Sequence, residues 1–182
     1  ADVLETEPSI SSSDKAVSLK EPCRGVVEFR NVTFSYPEAE EPVLHDISFT
    51  ALPGQTTAII GATGSGKSTL VNLIPRFYDV TSGQVLIDGI DVRDMNLTEL
   101  RQNLGYVPQK AILFSGTIHS NLAYADKSAS EEQIHKAAEI AQAMEFIKAK
   151  PDGFQSEIAQ GGSNVSGGQK QRLSIARALV RK

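Results

Sequence analysis

The sequence has 182 residues, 40% hydrophobic and 22% charged, a balance that supports one globular domain with a core of its own. Against 18 Lys and Arg stand 22 Asp and Glu, a formal net charge of −4, and no basic block interleaves with aromatics, so no nucleic-acid partner is expected. No apolar run reaches the ~18 residues of a membrane-crossing helix, and the first residues lack the basic-then-apolar pattern of a secretion signal.

Residues 1–24 are polar, contain Ser11-Ser12-Ser13 and show no sustained apolar period, the composition of a linker. Cys23, the single cysteine, can form neither an internal disulfide nor a metal site, and is expected to be inert in a flexible segment. The first residue, alanine, and the end at Arg181-Lys182 inside a helical pattern read as cuts from a longer chain. From Val26 to Tyr36 apolar and polar residues alternate, a strand that Pro37 ends, and Val43–Ala51 repeats the pattern. Leu52-Pro53-Gly54-Gln55 then turns the chain into the apolar run Thr57–Ile60, predicted as a further strand.

That run leads into Gly61-Ala62-Thr63-Gly64-Ser65-Gly66-Lys67-Ser68-Thr69, which matches G-x-x-x-x-G-K-[ST] at Gly61, Gly66, Lys67 and Ser68. Glycines at 61, 64 and 66 let the backbone take left-handed conformations, so successive N–H groups can face one concavity suited to phosphate. Lys67 brings a full charge to the β- and γ-phosphates, the helix predicted after it adds unpaired N–H groups, and Ser68 offers a hydroxyl to Mg²⁺. A nucleoside-triphosphate site over residues 61–69 is the expectation.

The helix after the loop should stop near Pro75, which lacks an N–H and clashes with the preceding turn. Val85–Asp91 is a strand with Asp88-Gly89 as its turn, and the early strands are expected to form an antiparallel layer beside the loop. Leu104–Gln109 reads as a short buried strand feeding a loop. Ser130-Glu131-Glu132-Gln133 has capping-box spacing, and Ile134, Ala137, Ala138, Ala141, Met144 and Ile147 continue one apolar helical face until Pro151-Asp152-Gly153. That stripe is core. His45, His119 and His135 show no metal-ligand spacing and are given surface or packing roles. A second glycine centre, Ser166-Gly167-Gly168-Gln169, opens the helix that carries Leu173, Ala176 and Val180 on one face. Such a turn is either an anion site or a plain N-cap.

Together these residues resemble the nucleotide-binding domain of an ATP-binding cassette (ABC) transporter, from about residue 25 to the end. Val165-Ser166-Gly167-Gly168-Gln169 is similar to the family signature Leu-Ser-Gly-Gly-Gln, Phe34-Ser35-Tyr36-Pro37 to its adenine-stacking loop, and Val107-Pro108-Gln109 to its glutamine loop. Leu73–Asp79 and Phe114–Ile118 resemble the exporter branch, in which a membrane domain precedes the cassette. The resemblance implies an α/β P-loop NTPase fold with an antiparallel β layer and a helical signature subdomain at about 110–175. It makes 1–24 the linker from the membrane domain and 25–182 a partial cassette, lacking the C-terminal part of the core.

The same resemblance implies ATP and Mg²⁺ as ligands. Tyr36 would stack on adenine, and Gly61, Gly64, Ser65, Gly66, Lys67, Ser68 and Thr69 would hold phosphate. Gln109 would be catalytic and approach Mg²⁺ together with Ser68, while Ser166, Gly167, Gly168 and Gln169 would close on nucleotide. Implied partners are a second nucleotide-binding domain and a transmembrane domain, at the cytoplasmic face of the cell membrane.

Two departures from the family pattern stand out. The strand ending in aspartate, the water-polarising glutamate and the switch histidine that follow in the family are not in this sequence, so hydrolysis by these residues alone lacks its usual base. Ala159-Gln160-Gly161-Gly162-Ser163 stands where exporters often carry Gly-Glu-Arg-Gly. The exporter reading has two alternatives, a non-hydrolysing regulatory cassette and a DNA-repair or chromosome-organising ATPase. Gln109 and Ser166 are only 57 positions apart, too few for the coiled-coil insertion of the chromosome-organising type.

Overall fold

Val27–Phe34 forms strand β1 in the computed structural model, which describes residues 8–13, 15–19 and 22–180. Residues 1–7, 14, 20 and 21 of the predicted linker, and the terminal Arg181 and Lys182, lie outside the described residues. β1 pairs antiparallel with β2, Leu44–Ala51, on one side and with β3, Ser82–Ile87, on the other. β3 turns through Asp88-Gly89 into β4, Ile90–Asp91, giving a sheet of order β2-β1-β3-β4. Strict alternation fails at one place in β1, where Phe29 and Val32 are both buried three residues apart. Asn31 takes φ +48° there and shifts the register, which returns Val32 and Phe34 to the covered face. Opposite it Gly83 has φ +81°, and a Cβ at that position would lie 2.3 Å from the Asn31 carbonyl oxygen. Only glycine fits.

The described chain divides into two compact units, residues 1–104 and 105–182, each with its own apolar cluster. In the first unit Phe29 stacks on Phe49, centroids 4.7 Å apart, and Phe29, Val32, Phe34, Leu70, Leu73 and Met95 are buried. Helix α1, Lys67–Leu73, supplies Leu70 and Leu73 to this cluster and ends before Pro75, as the proline requires. Helix α2, Leu97–Gln102, is capped by Asn96, whose side chain accepts from the N–H groups of Thr98 and Glu99. Described residues of the 1–24 segment fasten to this unit: Val17 donates its N–H to the Asp94 carbonyl, and Ser12 Oγ accepts from Leu97 N–H.

Cys23 packs against the same cluster rather than standing in a flexible segment. Burial and its bond to Asp88 hold the thiol above its ordinary value, so it stays protonated and inert. Burial pushes the Asp88 carboxyl up, but the N–H groups of Val26, Arg24 and Gly25 and the Cys23 thiol outweigh it and hold the group below its usual range.

In the second unit the antiparallel pair β5, Gly116–Thr117, and β6, Glu157–Ile158, accompanies, among the described residues, four α-helices: α3, Ile118–Leu122; α4, Glu131–Ile140; α5, Met144–Lys148; and α6, Gly167–Val180. Leu173, Ala176 and Val180 of α6 are buried with Ile134, Ala137 and Ala138 of α4, so the alanine stripe is core, as its spacing indicates.

Three expected secondary-structure elements are corrected as well. Thr57–Ile60 is not a strand, and Ile60 is 92% exposed. An apolar run becomes a strand only where a neighbour supplies ladder hydrogen bonds and covers its faces, and the four-stranded sheet does not include it. Leu104–Gln109 likewise forms no strand, and Tyr106 and Val107 are exposed. The single helix expected from Glu131 to Pro151 is two. Gln142 takes φ +56°, its N–H bonds to the Glu139 carbonyl, and Ala143 N–H bonds to Ala138, the pattern of a Schellman stop.

Candidate nucleotide site

Gly66 terminates the glycine loop at φ +84° and serves as N-cap of α1 with no side-chain bond, leaving the first-turn N–H groups without a side-chain partner. A Cβ on Gly66 would lie 2.9 Å from Leu44 Cδ2 and 3.2 Å from the Val43 carbonyl oxygen, so the loop is seated against the start of β2 and admits no side chain there. Gly64 also has φ +84°, in open space. Gly61 to Ser65 and Ser68 are exposed, which leaves the loop and the Ser68 hydroxyl accessible.

Lys67 folds back over this loop. Its Nζ donates to the carbonyl oxygens of Ala62 at 2.6 Å and Gly61 at 2.9 Å, and to Ser65 Oγ at 3.4 Å. Neutral carbonyls satisfy the ammonium's hydrogen bonds but not its charge. An anionic phosphate oxygen in the loop's mouth is therefore a better partner than the ones Lys67 holds here. The residues fit a triphosphate with its Mg²⁺: glycine backbone and Lys67 for phosphate, the accessible Ser68 hydroxyl for the cation. Among the described residues no cluster of three or more His, Cys, Asp or Glu could hold a metal by itself.

Tyr36 lies two residues beyond β1 in the same unit as the loop. Its hydroxyl is 2.9 Å from Thr69 Oγ1 on α1, so the candidate adenine platform and the phosphate loop's helix are physically joined. Tyr36 also makes edge contacts with Phe34 and Tyr78. Tyr78 lies in the stretch Leu73–Asp79, and its ring contact with Tyr36, 42 positions away, has no signal in the local sequence.

Gln109 and Ser166–Gln169 belong to the second unit. Gln109 is exposed in the bend after Pro108. Ser166 and Gln169 cap their own helix: Gln169 N–H donates to Ser166 Oγ at 3.3 Å, and Ser166 N–H to Gln169 Oε1 at 3.0 Å. Gly167 and Gly168 are exposed, and a Cβ on either would meet nothing within 4 Å, so the turn leaves open space above it. Beside it Lys170 Nζ donates to the Gly161 carbonyl, fixing the segment that departs from the exporter pattern. His119 pairs with Glu131, and the His135 ring packs on Phe154, so two of the three histidines have structural partners.

A glycine loop closed by Lys67 at the start of α1, beside an antiparallel sheet, and a glycine turn opening α6 define a P-loop ATPase fold of the cassette type. The family model described as ABC transporter matches residues 44–182, and the chain belongs to that family. It is 50% identical to an uncharacterized ABC transporter ATP-binding protein of Mycobacterium tuberculosis over all of this chain and 31% of that protein. An ATP-dependent lipid A-core flippase of Methylobacillus flagellatus is 46% identical over 99% of this chain and 30% of its own length. Among solved structures, a bacterial Atm1-family ABC exporter with ATP bound superposes with a TM-score of 0.93 at 39% identity, over all of this chain and 31% of that one. The chain thus spans about a third of the relatives it matches.

Proposed function

We propose that this chain is the ATP-binding cassette of a membrane exporter, in which residues 61–69 hold the phosphates of ATP, Ser68 and Gln109 attend its Mg²⁺, and Tyr36 stacks on the adenine. The observation that carries the reading is Lys67, resting on the carbonyls of Gly61 and Ala62 at the mouth of an accessible glycine loop. In the whole protein ATP binding and hydrolysis by the cassette, at the cytoplasmic face of the membrane, would drive transport through a transmembrane domain. Residues 1–24 would link the two domains, and residues of about 110–175 would form the helical signature subdomain.

The open turn at Ser166–Gly168 supports a role toward a nucleotide held by a second cassette. The glycine loop already surrounds phosphate on one side, and a further exposed glycine turn is best used on the γ-phosphate of a partner's ATP. In the full-length protein, Ser166→Arg places a bulky cation in that space and should leave single-chain ATP binding intact while abolishing ATP-dependent association of cassettes. Mixing Ser166→Arg chains with Lys67→Ala chains puts both lesions in one composite site and leaves the other whole. Sedimentation should then show ATP-induced association restored in the mixture. A mixture as inactive as either variant alone would remove support for the shared site.

A further inference from the structure

We propose that Tyr78 is a positioning residue for the adenine platform, holding the plane of the Tyr36 ring through an edge contact in addition to the hydroxyl bond to the phosphate-loop helix. The proposal rests on the ATP reading above and adds to it a residue that does not itself touch nucleotide.

Tyr36 needs such support because no regular element fixes it. It stands past the end of β1, in the loop before Pro37, where its carbonyl accepts a turn bond from Ala39 N–H. A phenol ring on a loop has two free torsions, and ordering it on ligand arrival lowers affinity. Here the ring is held at three places. Its hydroxyl meets Thr69 Oγ1 at 2.9 Å, and Thr69 is buried. Phe34 approaches at 4.9 Å with an interplanar angle of 82°, and Tyr78 at 5.2 Å with 88°. Perpendicular aromatic contacts of this kind fix orientation as well as distance. Phe34 and Tyr78 in turn touch one another, centroids 5.5 Å apart, so the three rings form a closed set.

Tyr78 is itself well anchored. The chain reverses after α1 at Arg76, which takes φ +51° and is buried. The Arg76 guanidinium clasps Asp79 through Nε at 2.6 Å and Nη2 at 3.0 Å, and Nη1 reaches the Arg93 carbonyl. Arg101 donates to the carbonyls of Pro75 and Arg76 on the same reversal. Tyr78 therefore rises from a braced turn that begins where α1 ends. The helix that starts at Lys67 thus controls Tyr36 twice, through Thr69 near its start and through Tyr78 beyond its end.

The test compares ATP with inorganic tripolyphosphate, which shares the phosphates and lacks the base, as ligands of the chain and its variants. Tyr78→Leu should weaken ATP by about threefold to tenfold, the worth of one aromatic pair, with tripolyphosphate unchanged. Tyr78→Phe, which keeps the ring, should restore the parent's ATP affinity. Equal weakening of both ligands, or none of either in Tyr78→Leu while Tyr36→Ala loses its preference for ATP, would overturn the positioning role and leave the ATP reading standing. If Tyr36→Ala and Lys67→Ala both bind like the parent, the ATP reading itself fails. Should Tyr78→Leu not fold, the unmodified chain decides. With only four tyrosines, ring-labelled protein gives assignable spectra, and the Tyr36–Tyr78 ring proximity should persist when ATP is added. Loss of that contact on ATP binding would overturn the proposal.

Discussion

Asn121 accepts the Arg177 guanidinium on both of its oxygens, Nη2 to the side-chain Oδ1 at 2.8 Å and Nε to the main-chain carbonyl at 2.9 Å. The same side chain accepts from Phe114 N–H and donates to the carbonyls of Phe114 and Thr117, so one buried amide ties α3, α6 and the segment before β5 together. Burial lowers the Arg177 guanidinium from its ordinary value, but the Ile112 carbonyl and the face of Phe114 at 5.2 Å complete its surroundings.

Asn121→Ala leaves several of these groups without partners, and each buried orphan costs roughly 1–3 kcal/mol. The second unit should lose about 2–4 kcal/mol, read as faster amide hydrogen exchange in α3 and α6. Unchanged protection there would show that the network contributes nothing net.

Asp91 gives the first unit an acid sensitivity. Burial raises its carboxyl, but Arg93, through its side chain at 2.7 Å and 3.0 Å and its N–H, together with Gln84, brings it below the ordinary carboxylate value. A carboxyl depressed on folding stabilises fully above its unfolded value of about 3.9 and loses that contribution as pH falls through the folded value. Arg93 is 37% exposed and solvent screens the pair, so the acid loss attributable to Asp91 should be about 1 kcal/mol. Urea midpoints should therefore fall further between neutral pH and pH ~3 in the parent than in Asp91→Asn, which starts lower. Equal acid losses in both would contradict the assignment.

Gln142 stops α4 in a left-handed conformation that glycine adopts without penalty. Its side chain is exposed, and its carbonyl, which accepts from Arg172, is unaffected by substitution. Gln142→Gly should stabilise the second unit by about 0.5–1 kcal/mol, seen as a raised melting midpoint. A lowered midpoint would mean that the side chain's own bond to the Glu139 carbonyl matters more.

Much of this was legible in the sequence because local chemistry decides it. The hairpin at Asp88-Gly89, the end of α1 before Pro75, the capping box at Ser130 and the glycine loop around Lys67 all follow from residues within a few positions of one another. The stop at Gln142 was hidden because glycine, its usual signal, is not used. Thr57–Ile60 misled for the opposite reason: its composition is that of a covered strand, while here its residues face solvent. Tyr36 is singled out by resemblance alone, and its contacts with Thr69 and Tyr78 span residues 33 and 42 positions away, where no periodicity reports contacts.

The most direct test of the central claim, that residues 61–69 hold the phosphates of ATP, is the affinity of the chain and its Lys67→Ala variant for ATP with Mg²⁺ at one ionic strength. Loss of a charge-assisted bond of roughly 1.5–3 kcal/mol corresponds to a weakening of tenfold or more, with the far-ultraviolet circular dichroism of the variant unchanged. Equal ATP affinity in parent and variant would contradict the account.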